Sequence, residues 1–199
     1  MNIKRILETK LERHFDNETE SYMINDNYTD FQKLKGLVSN PSITNNGNLH
    51  FHSRTKFKRG DLLTIGDDRY LINSDIVRLR GAKYKGIGYY CNFKYLFEIY
   101  EDVIIGVDQY GRPIYEKQKI GEWMQYGVLK FNDASNPNQD GIVVPNPNYN
   151  LIVKDDPNAR TFLTFNKGIK IEGLDFNVFN VAYDKEGIMD ISLRFGTGQ

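Results

Sequence analysis

One cysteine in 199 residues means that no intrachain disulfide can staple this chain. Cys91 lies within an alternating apolar stretch, where it reads as a small buried hydrophobe rather than a nucleophile. Charge of one sign is also missing. The 26 basic residues balance 26 acidic ones, so no net charge drives the chain onto nucleic acid or a membrane surface. No apolar run approaches the ~20 residues of a membrane helix. The opening MNIKRILETKLERHF has basic residues but lacks the continuous apolar core of a signal peptide, so synthesis and assembly in a cytoplasm are expected. Histidines number three. His50 and His52 sit two apart, a strand spacing that can hold a metal, but no third ligand is near in sequence and two exposed strand histidines are the preferred reading. There is no glycine-rich phosphate loop, no nucleophile elbow and no Cys/His cluster. No carboxylate pair stands out for glycoside hydrolysis. These absences point away from an enzyme, and no cofactor or metal is expected.

What the chain does have is aromatics, 13 Tyr and 12 Phe, which favour strands. The longest alternating stretch is Gly86 to Tyr100, GIGYYCNFKYLFEIY, with Ile87, Tyr89, Cys91, Phe93, Tyr95, Phe97 and Ile99 on one parity. Fifteen residues would span roughly 50 Å, far beyond an ordinary strand. The preferred reading is a strand that bends midway and serves two sheets. Hairpins are expected at Phe57–Asn73 around Gly66-Asp67-Asp68 and at Glu101–Lys119 around Asp108–Arg112. A separate strand should follow from Trp123 to Phe131, with five more at 149–154, 161–165, 168–172, 176–183 and 187–195. Asp30–Ser39 reads as a strand interrupted at Gly36. Asn2–Phe15 is the one good helix, with Ile3, Leu7, Leu11 and Phe15 on an apolar stripe that needs a partner.

The expected fold class is therefore mainly β: antiparallel barrel or sandwich modules with one N-terminal α-helix. The two halves rhyme. Phe57-Lys58-Arg59-Gly60 is echoed by Phe165-Asn166-Lys167-Gly168, Gly66 by Gly173, Tyr70 by Phe176, and Lys85-Gly86-Ile87 by Glu186-Gly187-Ile188. The rhyme reads either as two related modules or as two hairpins that merely look alike. The division that follows is a helix or arm at 1–20, a β module at 21–100 and a second at 101–199.

Two loops carry most of the polar character. Asn132–Gly141 is rich in oxygen donors, and Asp133, Asn136, Asn138 and Asp140 are weak candidates for calcium, although such residues also simply make turns. Arg78, Arg80, Lys83 and Lys85 form a basic run, read as a solvated loop that could meet phosphate or an acidic partner.

The run Phe57–Asn92, with Gly60-Asp61, Tyr70-Leu71-Ile72, Tyr84 and Cys91-Asn92, resembles structural proteins of tailed bacteriophages. The N-terminal helix, Tyr22–Asn27, the Phe31–Leu37 strand and the closing Phe179–Leu193 segment are similar to them as well, although a Trp is expected where Tyr70 stands. The resemblance implies a non-enzymatic virion protein of the neck: an adaptor, stopper or head-completion component of the head-to-tail connector. Its partners would be portal, adaptor and tail proteins, in a homo-oligomeric ring whose loops contact passing DNA. Ile3, Leu7, Leu11 and Phe15 would serve as interface, and loops 78–85 and 132–148 as contacts. The alternative is a β-sandwich carbohydrate- or receptor-binding module of a phage tail or baseplate. That module would present Tyr110, Tyr115, Trp123 or Tyr126 as an aromatic platform.

Overall fold

The structure, a computed structural model, describes residues 15, 17–39, 47–79, 83–131 and 149–196. It is mainly β, as expected, with thirteen strands and, among the described residues, one complete short helix; Phe15, Asn17 and Glu18 near the N-terminus are also helical. The first sheet contains β1 (Glu20–Ile24), β2 (Gln32–Ser39), β3 (Leu49–Ser53), β4 (Leu62–Ile65), β5 (Asp68–Ile72), β6 (Val77–Leu79) and β7 (Lys83–Tyr90). β1 pairs with both β2 and β4, and β7 with both β3 and β5, so six strands close into an antiparallel barrel with β6 added along β7. The second sheet contains β8 (Phe93–Val107), β9 (Pro113–Phe131), β10 (Tyr149–Lys154), β11 (Gly168–Ile171), β12 (Leu174–Ala182) and β13 (Ile188–Phe195), in the order β11-β12-β13-β10-β9-β8; among the described residues β8 and β11 do not pair, so this second barrel is a half-barrel open along one seam. The helix α1 (Pro157–Phe162) joins β10 to β11.

The long alternating stretch does change sheets. Cys91 N–H still bonds to Arg69 of the first barrel, whereas the Asn92 side chain brackets the backbone of Leu129 in the second. The modules therefore divide at 91–92 rather than at the expected 100–101. The alternation continues through the junction, so it marks buried faces and not the change of partner.

Other expectations need correction. β2 runs unbroken through Gly36, which is there because a Cβ would lie 2.4 Å from the Phe51 ring. Residues 20–24 form β1 despite their polarity. The strand expected at 161–165 is a helix ending at Phe162. Asp156 caps it by accepting from the N–H groups of Asn158 and Ala159, and Pro157 fixes the first helical φ. The 123–131 segment is not a separate strand but the continuation of the 19-residue β9. A bulge at Ile99/Tyr100 lets the β8–β9 ladder continue through this region.

The internal repeat runs through every strand but β6, although the β1–β4 pairing that closes the first barrel has no β8–β11 counterpart. Chain order and sheet order agree when β1, β2, β3, β4, β5 and β7 are matched with β8, β9, β10, β11, β12 and β13. The hairpins at 61–73 and 168–182 thus hold equivalent places in their sheets. Pairing register extends the match to single residues. Gly36 pairs with Ser53 as Gly127 pairs with Val153, and a Cβ at either glycine would strike the neighbouring strand, at the His52 and Ile152 carbonyls respectively. Gly60 N–H bonds to Ile72 O, and Ile72 N–H to Asp61 O; Asn166 N–H bonds to Val178 O, and Val178 N–H to Lys167 O. Gly60 and Asn166 both have positive φ. The structural match sets Phe57 against Leu163, two residues before the Phe165 that echoes it in sequence.

Core positions follow. Ile24, Phe51, Phe57, Leu63 and Ile72 of the first barrel correspond to Phe97, Leu151, Leu163, Ile169 and Val178 of the second, and all ten are buried. The two modules differ mainly in what was added. The first turns from β1 to β2 across residues 25–31, whereas the second prolongs the equivalent hairpin far beyond its barrel.

Candidate interaction surface

The prolonged hairpin begins at the bulge beside Gly121. Beyond it, Tyr100 pairs with Lys119 and the ladder continues to Val107 opposite Pro113, about 26 Å of two-stranded ribbon. Asp108 closes the tip, its Oδ1 accepting from the N–H groups of Tyr110 and Arg112 at 2.8 and 2.9 Å, with Gly111 at φ +77°. At the base Lys119 donates to Glu98 at 2.7 Å and also to Glu122, while Tyr100 OH donates to Glu98. These ionic contacts raise the Lys119 pKa and lower that of Glu98, but both groups are solvated and the contacts add little stability.

The side chains set this ribbon apart from an ordinary surface loop. Ile104, Ile105, Val107, Tyr115 and Ile120 are each more than half exposed, and Tyr110 at the tip is 75 % exposed. Both faces of the ribbon are open, and a bare two-stranded hairpin is marginal in water. An exposed apolar patch of this kind marks an interaction site. Because the equivalent hairpin of the first module is a short turn, the barrel fold itself does not require the arm.

The barrels meet in a second candidate site. Leu62 and Leu71 of the first pack with Val128, Ile152 and Ile188 of the second, all buried. At roughly 1.5–3 kcal/mol each, these side chains contribute on the order of 10 kcal/mol to docking. Beside them lies a polar cleft of ≈ 390 Å³ lined by Tyr28, Asp30, Lys58, Lys154 and Asp156. Lys154 of the second barrel reaches Asp30 at 3.0 Å and the fully buried Asp61 at 3.8 Å. Asp61 also accepts from Asn25 Nδ2 at 2.9 Å and Lys58 N–H at 2.8 Å. Burial alone would raise the Asp30 pKa, yet the Lys154 hydrogen bond and charge, with Lys58, hold it below the ordinary value. Burial raises that of Asp156. Within the first barrel Arg69 pairs with Asp26 at 2.7 Å, and across the junction it lies over the Tyr126 ring. The cleft chemistry is mutual neutralisation, which suits a fixed joint between barrels.

The residues singled out in sequence scatter. Phe15 is buried, with Lys83 Nζ 4.0 Å from its ring centroid and Arg54 nearby, so it packs within this chain. Ile3, Leu7 and Leu11 lie outside the described residues, as do Arg80, Asp133, Asn136, Asn138 and Asp140. The expected basic loop is instead the β6–β7 ladder on either side of residues 80–82, with Arg78 paired opposite Tyr84 and Lys83 and Lys85 half-buried. His50 and His52 share a face with ring centroids 6.4 Å apart, and burial followed by the Lys85 charge lowers both pKa values. No group of three metal-ligating side chains occurs among the described residues. Burial pushes the Cys91 thiol up to about 12. The aromatic platform is dispersed: Trp123 is a core residue stacked on Phe97 and Phe162, Tyr126 is half-buried at the barrel junction, and only Tyr110 and Tyr115 are exposed.

No protein-family model matches the chain, and no curated protein matches it. Among solved structures it is similar to MrkH, described as a c-di-GMP-dependent transcription regulatory factor, at 13 % identity over 97 % of this chain and 83 % of that one, with a TM-score of 0.20. MrkH of K. pneumonia in its c-di-GMP complex and in its apo state gives TM-scores of 0.21 and 0.22, again at 13 % identity, covering 98 % of this chain and 87 % and 85 % of those. Scores of that size support no statement about this chain's fold or function.

Proposed function

We propose that this chain is a non-enzymatic structural subunit of a tailed-phage virion, a component of the ring that joins the capsid portal region to the tail. One observation carries the reading: a duplicated barrel module has acquired, in its second copy only, an apolar arm that the fold does not use. A subunit that must grip neighbours needs such a feature, and the resemblance of Phe57–Asn92 to phage structural proteins supplies the setting. Within it the subunit's partners are portal, adaptor and tail proteins. Arg78, Lys83 and Lys85 are the described cations from the run nominated for contact with passing DNA.

We favour the carbohydrate-binding alternative less, because Trp123 and Tyr126 are committed to packing and only Tyr110 and Tyr115 of the four platform candidates are exposed. Gold-labelled antibody against the chain, applied to purified virions of its phage and viewed by electron microscopy, tests the proposal. Label at the head–tail junction is expected. Label at fibre tips or baseplate would support the receptor-binding reading, and unlabelled virions would overturn both.

A further inference from the structure

The arm leaves one end of the second barrel, and the opposite end of the same barrel carries a complementary apolar surface. β9 ends there at Phe131, β10 begins at Tyr149 and β13 ends at Phe195. The rings of Phe131, Tyr149, Phe176 and Phe195 form a continuous row with successive centroids 5.4, 5.1 and 4.6 Å apart, in which Phe176 is buried and anchors the row to the core while Phe131 and Phe195 face outward. Phe131 and Leu174 on its rim are 63 % and 51 % exposed.

We propose that the arm of one subunit docks on this aromatic end in a second copy of the same chain, in a head-to-tail contact. This rests on the structural-subunit reading and names its partner. Size supports it. Eight large apolar residues of the arm, from Tyr100 to Ile120, are 44–75 % exposed. At on the order of 100 Å² each they offer roughly 800 Å², one side of a standard interface, when the acceptor encloses both faces of the ribbon, and about half of that when it covers one. Charge supports it too. The 100–120 segment holds four acidic residues (Glu101, Asp102, Asp108, Glu116) and three basic ones (Arg112, Lys117, Lys119), so apolar complementarity rather than a charged partner should select its occupant. The internal joint cannot serve instead. Leu62 and Leu71, which dock the first barrel on the second, correspond to the exposed Gly168 and Asn177, so that contact does not propagate from one chain to the next. Donor and acceptor lie at opposite ends of one barrel, so the contact is heterologous and generates a closed ring or a filament.

The test is native mass spectrometry of the full chain with two paired variants, Ile104→Asp/Tyr115→Asp on the arm and Phe131→Asp/Leu174→Asp on the aromatic end, each checked for native circular dichroism. Wild type should assemble beyond a dimer, and each variant alone should be monomeric. An equimolar mixture should give a heterodimer, because one intact arm then meets one intact acceptor. If Phe131→Asp impairs folding, the exposed Leu174→Asp alone takes its place, with weakened assembly expected. A monomeric wild type, an arm variant that still assembles, or a mixture that stays monomeric would overturn the contact. The connector reading fails separately, by the absence of the chain from virions.

Discussion

A methyl group at Gly60 should loosen the joint between the barrels. Gly60 has φ +87°, and a Cβ built there would stand 1.8 Å from the carbonyl oxygen of Gly187, on the other barrel. Gly187 has φ +85°, and its own Cβ would stand 2.2 Å from the Arg59 carbonyl. Two backbones touch here, so neither can yield by rotating a side chain. Gly60→Ala therefore carries about 1–2 kcal/mol for the left-handed conformation. It must also part the barrels beside Leu62 and Ile188, and a gap of up to about 1 Å forfeits a quarter to a half of the dispersion contacts along it. The total should reach about 3–5 kcal/mol. Gly66→Ala is the control, since Gly66 has φ +60° but no atom within 4 Å of a built Cβ, and about 1 kcal/mol is expected there. Urea unfolding measures both. Trp123, the single tryptophan, reports the second barrel, and far-ultraviolet circular dichroism reports the whole chain. In Gly60→Ala the two probes should separate as the barrels uncouple. Equal losses in the two variants would refute the backbone contact.

Lys154→Ala should cost about 2–4 kcal/mol, because it strands the buried Asp61, and Lys154→Met should recover part of this by filling the space; denaturant midpoints measure both. Trp123→Ala should cost about 3–5 kcal/mol against less than about 0.5 for Tyr110→Ala, and the reverse order would restore the aromatic-platform reading. Because His50 and His52 titrate lower when folded, the unfolded chain takes up protons first. Their contribution is thus lost as pH falls below about 6.5, and thermal melts between pH 7.5 and 5.5 should flatten in His50→Asn/His52→Asn. Cys91 should resist thiol reagents at pH 8 until urea unfolds the chain, and rapid labelling of the native protein would show the junction to be open.

Much of the architecture was legible in the residues. Alternation located β7, β8, β12 and β13, turn residues placed the hairpins at Gly66 and Gly111, and the length of the alternating stretch through Cys91, too great for one ordinary strand, pointed to two sheets. A helix signal was also present but outweighed: Asp156-Pro157 is a cap followed by a first-turn proline, and the β-branched and aromatic Thr161–Phe165 obscured it. The arm was half legible, since its turn and pairing were foreseen while its projection was not. A half-buried strand and a solvent-exposed ribbon can carry the same apolar residues, and only the position of the barrel decides between them.

Local chemistry determined which residues form strands, where they turn and which parity is apolar, because those properties depend on neighbours in sequence. Tertiary structure decided the rest. It matched Gly36 to Gly127 and Gly60 to Asn166, pairs that share a backbone environment without sharing a sequence pattern. It also brought Lys154 to Asp30 and Asp61 across more than ninety residues of chain. Hydrogen-bond register and the meeting of two surfaces depend on distances in space, and no periodicity along the chain encodes them.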